Sequence, residues 1–324
     1  MSEINKIRAF IKPEMDKFNP FFKKAVKSNV PLLDIIMNYI IRRKGKQMRP
    51  MFVFLSAKLV GEVTESTYTA AALIELMHTA TLIHDDVVDN SHKRRGFFSI
   101  SALWRSKIAV LAGDFLLSKG LLLAVQKKEF ELLEIVSEAV KEMAEGELLQ
   151  MEKSRKLDIS EETYFEIIYK KTATLIASCT AAGAASAGAD EQTIKNLKQF
   201  GKNAGITFQI KDDLFDYQKT NLTGKPSGND IQEKKMTLPL IYALKNANKS
   251  EKRHILKLVA KSSEKQSSVN EILNFVNDKN GLKYTEQILN EYKTKTLKNL
   301  DSLPNSLPKK YLSALVEYIT VRKK

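Results

Sequence analysis

The sequence predicts an all-α fold in a single domain. Apolar residues recur at helical spacing in segments of about ten to twenty-five residues, which follow one another along the whole chain of 324 residues. Alternating Val, Ile and Thr patterns bounded by turn residues, which would indicate strands, are scarce. Gly and Pro number only 13 and 8, and no segment rich in Pro, Gly or Ser reads as a linker. One domain over 1–324 is therefore expected.

The cysteine count and the apolar stretches indicate the cellular compartment. The only cysteine, Cys179, excludes an internal disulfide framework and fits a reducing compartment. It lies in an uncharged, small-residue stretch over 173–189 that is too weakly apolar to span a membrane, so a buried packing residue is expected. Residues 2–6 open an amphipathic helix and not a signal peptide, which predicts a cytoplasmic protein.

The net charge of +14 is compatible with a nucleic acid, an anionic membrane or a phosphorylated substrate as partner. Much of the excess lies in C-terminal runs such as 293–298 and 322–324, which contain no aromatic residues and adjoin no nucleic-acid-binding motif. We expect these runs to be solvated faces. No nucleic-acid partner is predicted.

The N-terminal segment, broken by prolines, predicts one or two short packing helices over 1–30. A basic turn over 42–50 then precedes an apolar helix over 51–60. Within the turn, Lys46 and Arg49 could face one anion at the start of a helix, where N–H groups favour negative charge. Taken alone, an exposed basic turn is the simpler interpretation.

The predicted helix over 67–89 ends in three aspartates at helical spacing and opens into a basic loop over 93–96. Asp85 and Asp89 lie one turn apart on the same face, with Asp86 beside them. Like charges at this spacing destabilise a bare helix by about a few tenths of a kcal/mol, so a cation is expected there. Ligands that are all oxygen atoms suit a hard ion such as Mg²⁺. A single cluster of this kind could equally be a solvated acidic helix end.

A second cluster repeats the spacing and makes chance unlikely. Asp212, Asp213 and Asp216 end the predicted helix over 192–217. If the two helices face each other across a cavity, they present six carboxylates to shared metal ions, as needed to hold a diphosphate. Lys211 places a cation inside the second motif and leaves its aspartates intact.

The helix that carries the first motif has two more informative positions upstream. His78 lies two turns before Asp85 on nearly the same face; a lone helical histidine is usually structural, but its position here favours a functional role. Ala80 and Thr81, one turn before Asp85, are both small. A bulky residue there would plug any channel that runs down the helix from the metal site.

The remaining elements are mostly helices. Two are predicted over 101–127 and 129–152, and Ser160 predicts the N-terminal cap of the next, which carries Lys171 and Thr172. After the second aspartate motif comes a turn-rich stretch.

This stretch, over 224–230, offers Lys225 to a phosphate, with Lys235 following nearby. It lacks the spacing of a Walker phosphate loop.

Together these motifs resemble those of the trans-isoprenyl diphosphate synthases, the polyprenyl synthetase family. The resemblance covers about residues 40–245, is strongest to the long-chain bacterial octaprenyl and heptaprenyl diphosphate synthases, and departs from the family at no metal-ligand position. It rests on both aspartate motifs and, in family order, on Gly45-Lys46-Gln47-Met48-Arg49-Pro50, His78, Arg94-Arg95-Gly96, Lys171-Thr172, Phe208-Gln209 and the segment from Gly224-Lys225 to Asp230. The C-terminal helices over 246–324 add no motif.

The resemblance implies an isoprenoid synthase bundle, with helices around a deep central cavity, that forms a homodimer. It implies an allylic diphosphate held by Mg²⁺, three ions in related enzymes, with Mn²⁺ as a substitute. The implied ligands are Asp85, Asp86, Asp89, Asp212, Asp213 and Asp216. Six carboxylates and three Mg²⁺ ions cancel in formal charge, which leaves the diphosphate to basic residues, namely Arg94, Lys171, Lys225 and Lys235.

The second implied substrate, isopentenyl diphosphate, loses no diphosphate and needs no metal. By resemblance its diphosphate is bound by Lys46, Arg49, His78 and Arg95. Its double bond attacks the allylic cation, and a proton is lost to the departing diphosphate. Lys171, Thr172 and Gln209 are expected to orient or stabilise the reacting region.

Product length is predicted from the small residues above the first motif. Bulky residues one turn before the first aspartate shorten the product in this family, so Ala80 and Thr81 predict about six to nine isoprene units. The floor of the tunnel is expected at Met77 or at side chains within 121–130. Such products become quinone side chains, which is compatible with transient contact with a membrane surface on product release.

Three alternatives remain open. A shorter-chain synthase, making farnesyl or geranylgeranyl diphosphate, would share every motif. A class I terpene cyclase shares the all-α architecture and the first motif, but its second motif mixes Asn or Asp, Ser or Thr, and Glu at wider spacing. A non-enzymatic helical protein, either a basic nucleic-acid binder or an inactive partner subunit, would be expected to have lost one aspartate motif, and this chain keeps both.

Overall fold

The computed structural model describes residues 3–42, 45, 47–94, 96–217, 228–261 and 266–321. Its helices are α1 (Glu3–Phe10), α2 (Lys12–Ala25), α3 (Pro31–Arg42), α4 (Met48–Val60), α5 (Glu65–Val88), α6 (Ile100–Lys127), α7 (Phe130–Lys156), α8 (Glu161–Ile168), α9 (Thr174–Ser186), α10 (Glu191–Tyr217), α11 (Asn229–Gln232), α12 (Leu238–Lys245), α13 (Lys249–Ala260), α14 (Gln266–Asp278), α15 (Gly281–Lys298) and α16 (Leu307–Val321). A π-helical turn, Tyr169–Ala173, joins α8 to α9. The all-α prediction is confirmed.

Some helix ends differ from prediction for local reasons. α4 begins at Met48 and not at 51, because Pro50 is tolerated in a first turn, where its missing N–H is not needed. Arg49 therefore lies inside α4 and not in the turn before it. α7 continues to Lys156, beyond the predicted end at 152, so the polar connection to α8 is shorter than expected.

Two other local predictions concern a cap and a loop. Ser160 caps α8 as predicted, since its hydroxyl accepts the N–H of Thr163 at 3.2 Å. The basic segment after the first aspartate motif, predicted as a loop, forms a short antiparallel hairpin of β1 (Lys93–Arg94) and β2 (Phe97–Phe98).

Internal contacts group the chain into two compact units. The first comprises Met1–Lys141, Leu175–Lys198 and Ser302–Leu312; the second comprises Glu142–Thr174, Gln199–Asp301 and Ser313–Lys324. The expectation of one domain over the whole chain stays a prediction.

In the first unit, α5 packs against α4 and most extensively against α6. Thr64 caps α5 reciprocally with Thr67, which fixes the start of the helix and hence the register of its buried face. The two helices approach closely at Gly120 of α6, where a Cβ would lie 3.1 Å from Cε of Met77 and 3.2 Å from Cδ1 of Leu73. One face of α5 is thus held tightly against α6.

Among the described helices, α6 alone is long and apolar enough to cross a membrane, and an 18-residue window within it has a mean hydropathy of 1.9. A helix packed in a protein interior can pass the same test. One face of α6 is buried, through residues such as Ala109, Ala112 and Leu116. The other exposes apolar side chains at helical spacing: Leu103, Val110, Leu111, Leu121, Leu122 and Val125.

A backbone irregularity lies one turn into α6. Arg105 has φ 71° and ψ 158°, a positive-φ conformation that L-residues rarely adopt. It separates the first turn of α6 from the rest of the helix. This turn is fixed at its start by Ser99, whose hydroxyl accepts the N–H of Ala102. The sequence gives no sign of this kink.

The second unit has its own apolar core, built from α8, the C-terminal half of α10, and α12 to α15. Its fully or nearly fully buried members include Tyr164, Ile168, Ile206, Ile210, Leu214, Leu238, Leu240, Val259 and Ile272. The core packs one face of α10, which brings α8 beside the end of α10 that carries the second aspartate motif.

Candidate active site

The first aspartate motif ends α5. Asp86 is only 5% exposed, and its Oδ1 accepts a charge-assisted hydrogen bond from Nε of Arg94 at 2.6 Å. Asp89 is exposed at the C-cap, where its N–H donates to the carbonyl of Asp85 at 2.8 Å. The hairpin after α5 thus returns Arg94, a predicted diphosphate ligand, to the carboxylates that precede it.

The predicted anion-binding residues of the first unit lie on α4 and α5. Nη1 of Arg49 lies 3.6 Å from Oε1 of Glu75, and both side chains are mostly buried. His78 follows one turn later on α5 and is also buried. Lys46 and Arg95, the other two residues predicted for isopentenyl diphosphate, lie outside the described residues.

The residues predicted to control chain length face the interior. Ala80 is fully buried and Met77 nearly so, and the hydroxyl of the half-buried Thr81 donates to the carbonyl of His78 at 2.9 Å. Met77 is the first large side chain of the three, and its methyl group packs over Gly120 of α6.

In the second unit, a chain of hydrogen bonds ends on Asp213. The hydroxyl of Thr172 donates to Oε1 of Gln209 at 2.9 Å, and Nε2 of Gln209 donates to Asp213 at 2.8 Å. The hydroxyl of Tyr164 donates to the other carboxylate oxygen of Asp213 at 2.6 Å. The structure therefore brings together Thr172, Gln209 and Asp213, which the sequence analysis had singled out separately.

Burial raises the pKa of Asp213 well above its ordinary value, and the nearby negative charges of Asp230 and Asp212 add to this effect. Burial likewise raises the pKa of Asp230, with the charge of Asp216 as the next cause. Burial also raises the pKa of Tyr164, which therefore stays a hydroxyl donor. Burial and the repulsion between these carboxylates both disfavour their charged forms, and a bound cation would relieve both effects.

The side chain of Asp216 accepts hydrogen bonds from backbone N–H groups that follow the second motif. Its two carboxylate oxygens accept the N–H groups of Asn229 at 3.0 Å and Asp230 at 2.9 Å. The N–H of Lys235 in turn donates to the carbonyl of Asp230 at 2.7 Å, and its ammonium pairs with Glu233. Lys235 thus lies in the turn attached to Asp216.

Lys171 lies in the π-helical turn, which the sequence predicted as ordinary helix. Its Nζ is 2.6 Å from Oε2 of Glu147 and 3.4 Å from Oε1 of Gln150, both on α7. π-Helical turns frequently occur at functional sites, and this one supplies two of the predicted residues, Lys171 and Thr172.

Lys225, the remaining predicted ligand, lies outside the described residues. That the two aspartate motifs face each other across one cavity, and the role assigned to each residue, stay predictions.

Several residues that contact the predicted ones were missed. Glu75 could have been found, because it lies one helical turn before His78 on the same face. Tyr164 and Glu147 gave no usable signal, since only the fold brings them to Asp213 and Lys171.

The donor set fits a hard divalent cation. In the described ranges no group of three or more His, Cys, Asp or Glu side chains is gathered so as to hold a metal ion by itself. Mg²⁺ does not require such a cage, because it is commonly bound by one or two carboxylates together with waters and substrate phosphates. Each motif supplies carboxylates only, which is the ligand chemistry that Mg²⁺ prefers.

Comparison with known proteins indicates the same family as the aspartate motifs do. The family model described as "Polyprenyl synthetase" matches residues 30–276. The chain is 32% identical over 322 residues to the octaprenyl diphosphate synthase of Haemophilus influenzae, covering 99% of this chain and 97% of that protein. It is 34% identical over 289 residues to a short chain isoprenyl diphosphate synthase of Methanothermobacter thermautotrophicus, covering 88% of each.

The fold agrees with a solved structure of the same kind. A polyprenyl synthase from Caulobacter crescentus, crystallised with calcium and isoprenyl diphosphate, superposes with a TM-score of 0.90 at 31% identity, covering 99% of this chain and 98% of that one. The family match and the similarity along nearly the whole length agree with the order of the motifs. This chain belongs to the polyprenyl synthetase family and is a trans-prenyl diphosphate synthase, a prenyltransferase of isoprenoid biosynthesis.

Proposed function

We propose that this synthase makes a long all-trans product of about six to nine isoprene units, of the octaprenyl type. The observation that carries the proposal is the pair of small residues, Ala80 and Thr81, one turn before Asp85 on α5. Overall identity does not decide the length, because an octaprenyl and a short chain synthase are similar to this chain to nearly the same degree.

The tunnel floor is proposed at Met77. Asp85 lies eight positions after Met77, which corresponds to about 12 Å along the helix axis. Met77 is buried, and its methyl group packs over Gly120 of α6. A growing chain that passes Ala80 and Thr81 would meet this side chain first.

The six aspartates of the two motifs are proposed to hold Mg²⁺, three ions with Mn²⁺ as a substitute, together with the allylic diphosphate. When bound, the ions supply Lewis-acid stabilisation of the diphosphate leaving group. Tyr164 and Gln209 orient the carboxylate of Asp213. Arg94, Lys171, Lys225 and Lys235 neutralise the charge that collects on the diphosphate as the allylic C–O bond breaks.

Isopentenyl diphosphate is proposed to bind through Lys46, Arg49, His78 and Arg95. The C–O electron pair leaves with the allylic diphosphate, the double bond of isopentenyl diphosphate attacks the resulting allylic cation, and the proton lost from the new chain goes to the departed diphosphate. Thr172 and Gln209 orient the reacting region.

The proposed function is tested by incubating the purified protein with Mg²⁺, labelled isopentenyl diphosphate and farnesyl diphosphate, and resolving the dephosphorylated products by length. A ladder that ends at one product of about six to nine units supports the proposal. An end point at farnesyl or geranylgeranyl would favour a shorter-chain synthase. No elongation of any allylic primer by folded protein would favour a cyclase or a partner-dependent subunit.

A homodimer in the cytoplasm is proposed as the working form, with transient contact at a membrane surface when the product leaves. The exposed apolar face of α6 supports the dimer, because contiguous apolar surface on a helix commonly marks an interface. Leu111 is among its most exposed members. Leu111→Glu is expected to give a monomer in light scattering after size exclusion; an unchanged dimer would refute this choice of face.

A further inference from the structure

A mostly buried ion pair joins α4 to α5 beside the proposed isopentenyl diphosphate residues. Nη1 of Arg49 lies 3.6 Å from Oε1 of Glu75, and the two side chains are only 21% and 18% exposed. Arg49 lies in the first turn of α4, and Glu75 lies one turn before His78 on α5. Glu75 has no assigned role in the reaction.

Arg49 has donors that Glu75 does not use. Nε of Arg49 is buried and has no hydrogen-bond partner among the residues that the structure describes. A guanidinium carries five N–H donors in one rigid plane. At 3.6 Å, Glu75 attracts the guanidinium by charge without hydrogen-bonding it, and Oε1 of Glu75 has no hydrogen-bond partner among the described residues. The carboxylate therefore biases the orientation of the plane electrostatically and leaves its donors for a second anion.

The burial of Arg49 makes its orientation depend on the charge of Glu75. Cys179 of α9, predicted and found to be a buried packing residue, has its pKa raised by burial, and the charges of Arg49 and Glu75 shift this pKa in opposite directions. Without Glu75, the guanidinium would be a mostly buried cation that has lost its paired carboxylate, a costly arrangement that favours reorientation toward water.

We infer that Glu75 is a positioning residue, which holds the guanidinium of Arg49 in the orientation that binds the diphosphate of isopentenyl diphosphate. This inference rests on the proposed role of Arg49. Glu75 itself carries the same sign as the substrate and does not touch it. Its negative charge weakens the general attraction for anions, and the fixed orientation of Arg49 more than offsets this loss.

The test compares Glu75→Leu, which removes the acceptor, with Glu75→Gln, which keeps a carbonyl oxygen at the same reach. Binding of isopentenyl diphosphate is measured by calorimetry in EDTA, so that metal-dependent binding at the aspartate motifs does not contribute. We expect Glu75→Leu to raise the Kd about tenfold and Glu75→Gln to raise it about threefold or less. In steady-state assays the KM for isopentenyl diphosphate should rise in parallel, with the KM for the allylic substrate unchanged.

Glu14→Leu is the matched control. Glu14 is a similarly buried carboxylate that pairs with Lys58, another base of α4, at 2.6 Å. Its loss should lower thermal stability to a similar extent and leave the Kd for isopentenyl diphosphate unchanged. In an Arg49→Lys background, Glu75→Leu should have little further effect on the Kd, since the planar group that it positions is gone.

Three results would overturn the inference: an unchanged or tighter Kd in Glu75→Leu, equal effects of Glu75→Leu and Glu14→Leu, or a parallel rise in the KM of both substrates. These results differ from failure of the proposed function. That failure is a wild-type protein that elongates no primer, whereas the calorimetric test requires no product.

Discussion

Replacing Ala80 by Phe should shorten the product, because Ala80 lies between the first aspartate motif and the proposed floor. Asp85 lies five positions after Ala80, or about 7.5 Å of helix rise, against about 12 Å from Met77 to Asp85. A phenyl ring at Ala80 would therefore remove more than a third of the depth available to the growing chain. We expect the product ladder to end at farnesyl or geranylgeranyl diphosphate, with little intermediate above that length.

The assay is the labelled product ladder, run beside thermal unfolding of the same samples. Ala80 is fully buried, so a ring that cannot extend into a tunnel would overpack the core and cost about 1–3 kcal/mol of stability. Thr81→Phe, at a half-buried position, is a second variant that tests the same argument with less risk to folding. Met77→Ala provides the opposite change and should lengthen the product. Folded Ala80→Phe and Thr81→Phe proteins that still make the wild-type product would refute the tunnel argument.

Three further changes probe other parts of the structure. Arg105→Gly should raise the free energy of unfolding by about 1 kcal/mol in urea titrations, because relief of about 1–3 kcal/mol of backbone strain exceeds the entropic cost of glycine; a lower midpoint would contradict this. Tyr164→Phe removes a buried donor to Asp213 and should raise the Mg²⁺ concentration for half-maximal activity about 10-fold to 100-fold, whereas an unchanged Mg²⁺ titration would rule out an orienting role. Glu147→Gln should lower the KM for the allylic substrate about threefold, because Lys171 is a flexible point charge that needs no orienting partner and would be released to the diphosphate; a higher KM would mean that Glu147 positions Lys171 instead.

The local chemistry of the helices was readable from the sequence because it repeats with the helical period. The spacing of the aspartates placed Asp85 and Asp89 on one face, and the Ser160 cap was recognised from its side chain alone. Boundaries were less accurate where proline allowed two interpretations, as at the start of α4. The kink at Arg105 was not predicted, since nothing in an arginine side chain indicates a left-handed backbone.

The contact partners of the candidate site residues could not be predicted from the sequence. Tyr164 and Asp213 are distant in sequence, as are Arg49 and Glu75, and no periodic pattern links either pair. Which tyrosine reaches which aspartate depends on how α8 packs against α10, and this packing is decided by the fit of the apolar core around them.

The sequence by itself determined the all-α fold, the two aspartate motifs and the family, because each of these is written in local spacing and in the order of motifs along the chain. The tertiary structure alone decided that Gln209, itself bonded by Thr172, and Tyr164 converge on Asp213, that Glu75 pairs with Arg49, and that Met77 lies against α6. These are contacts between segments far apart in the chain, and their geometry follows from close packing, in which each side chain is fixed by neighbours that the local sequence does not specify.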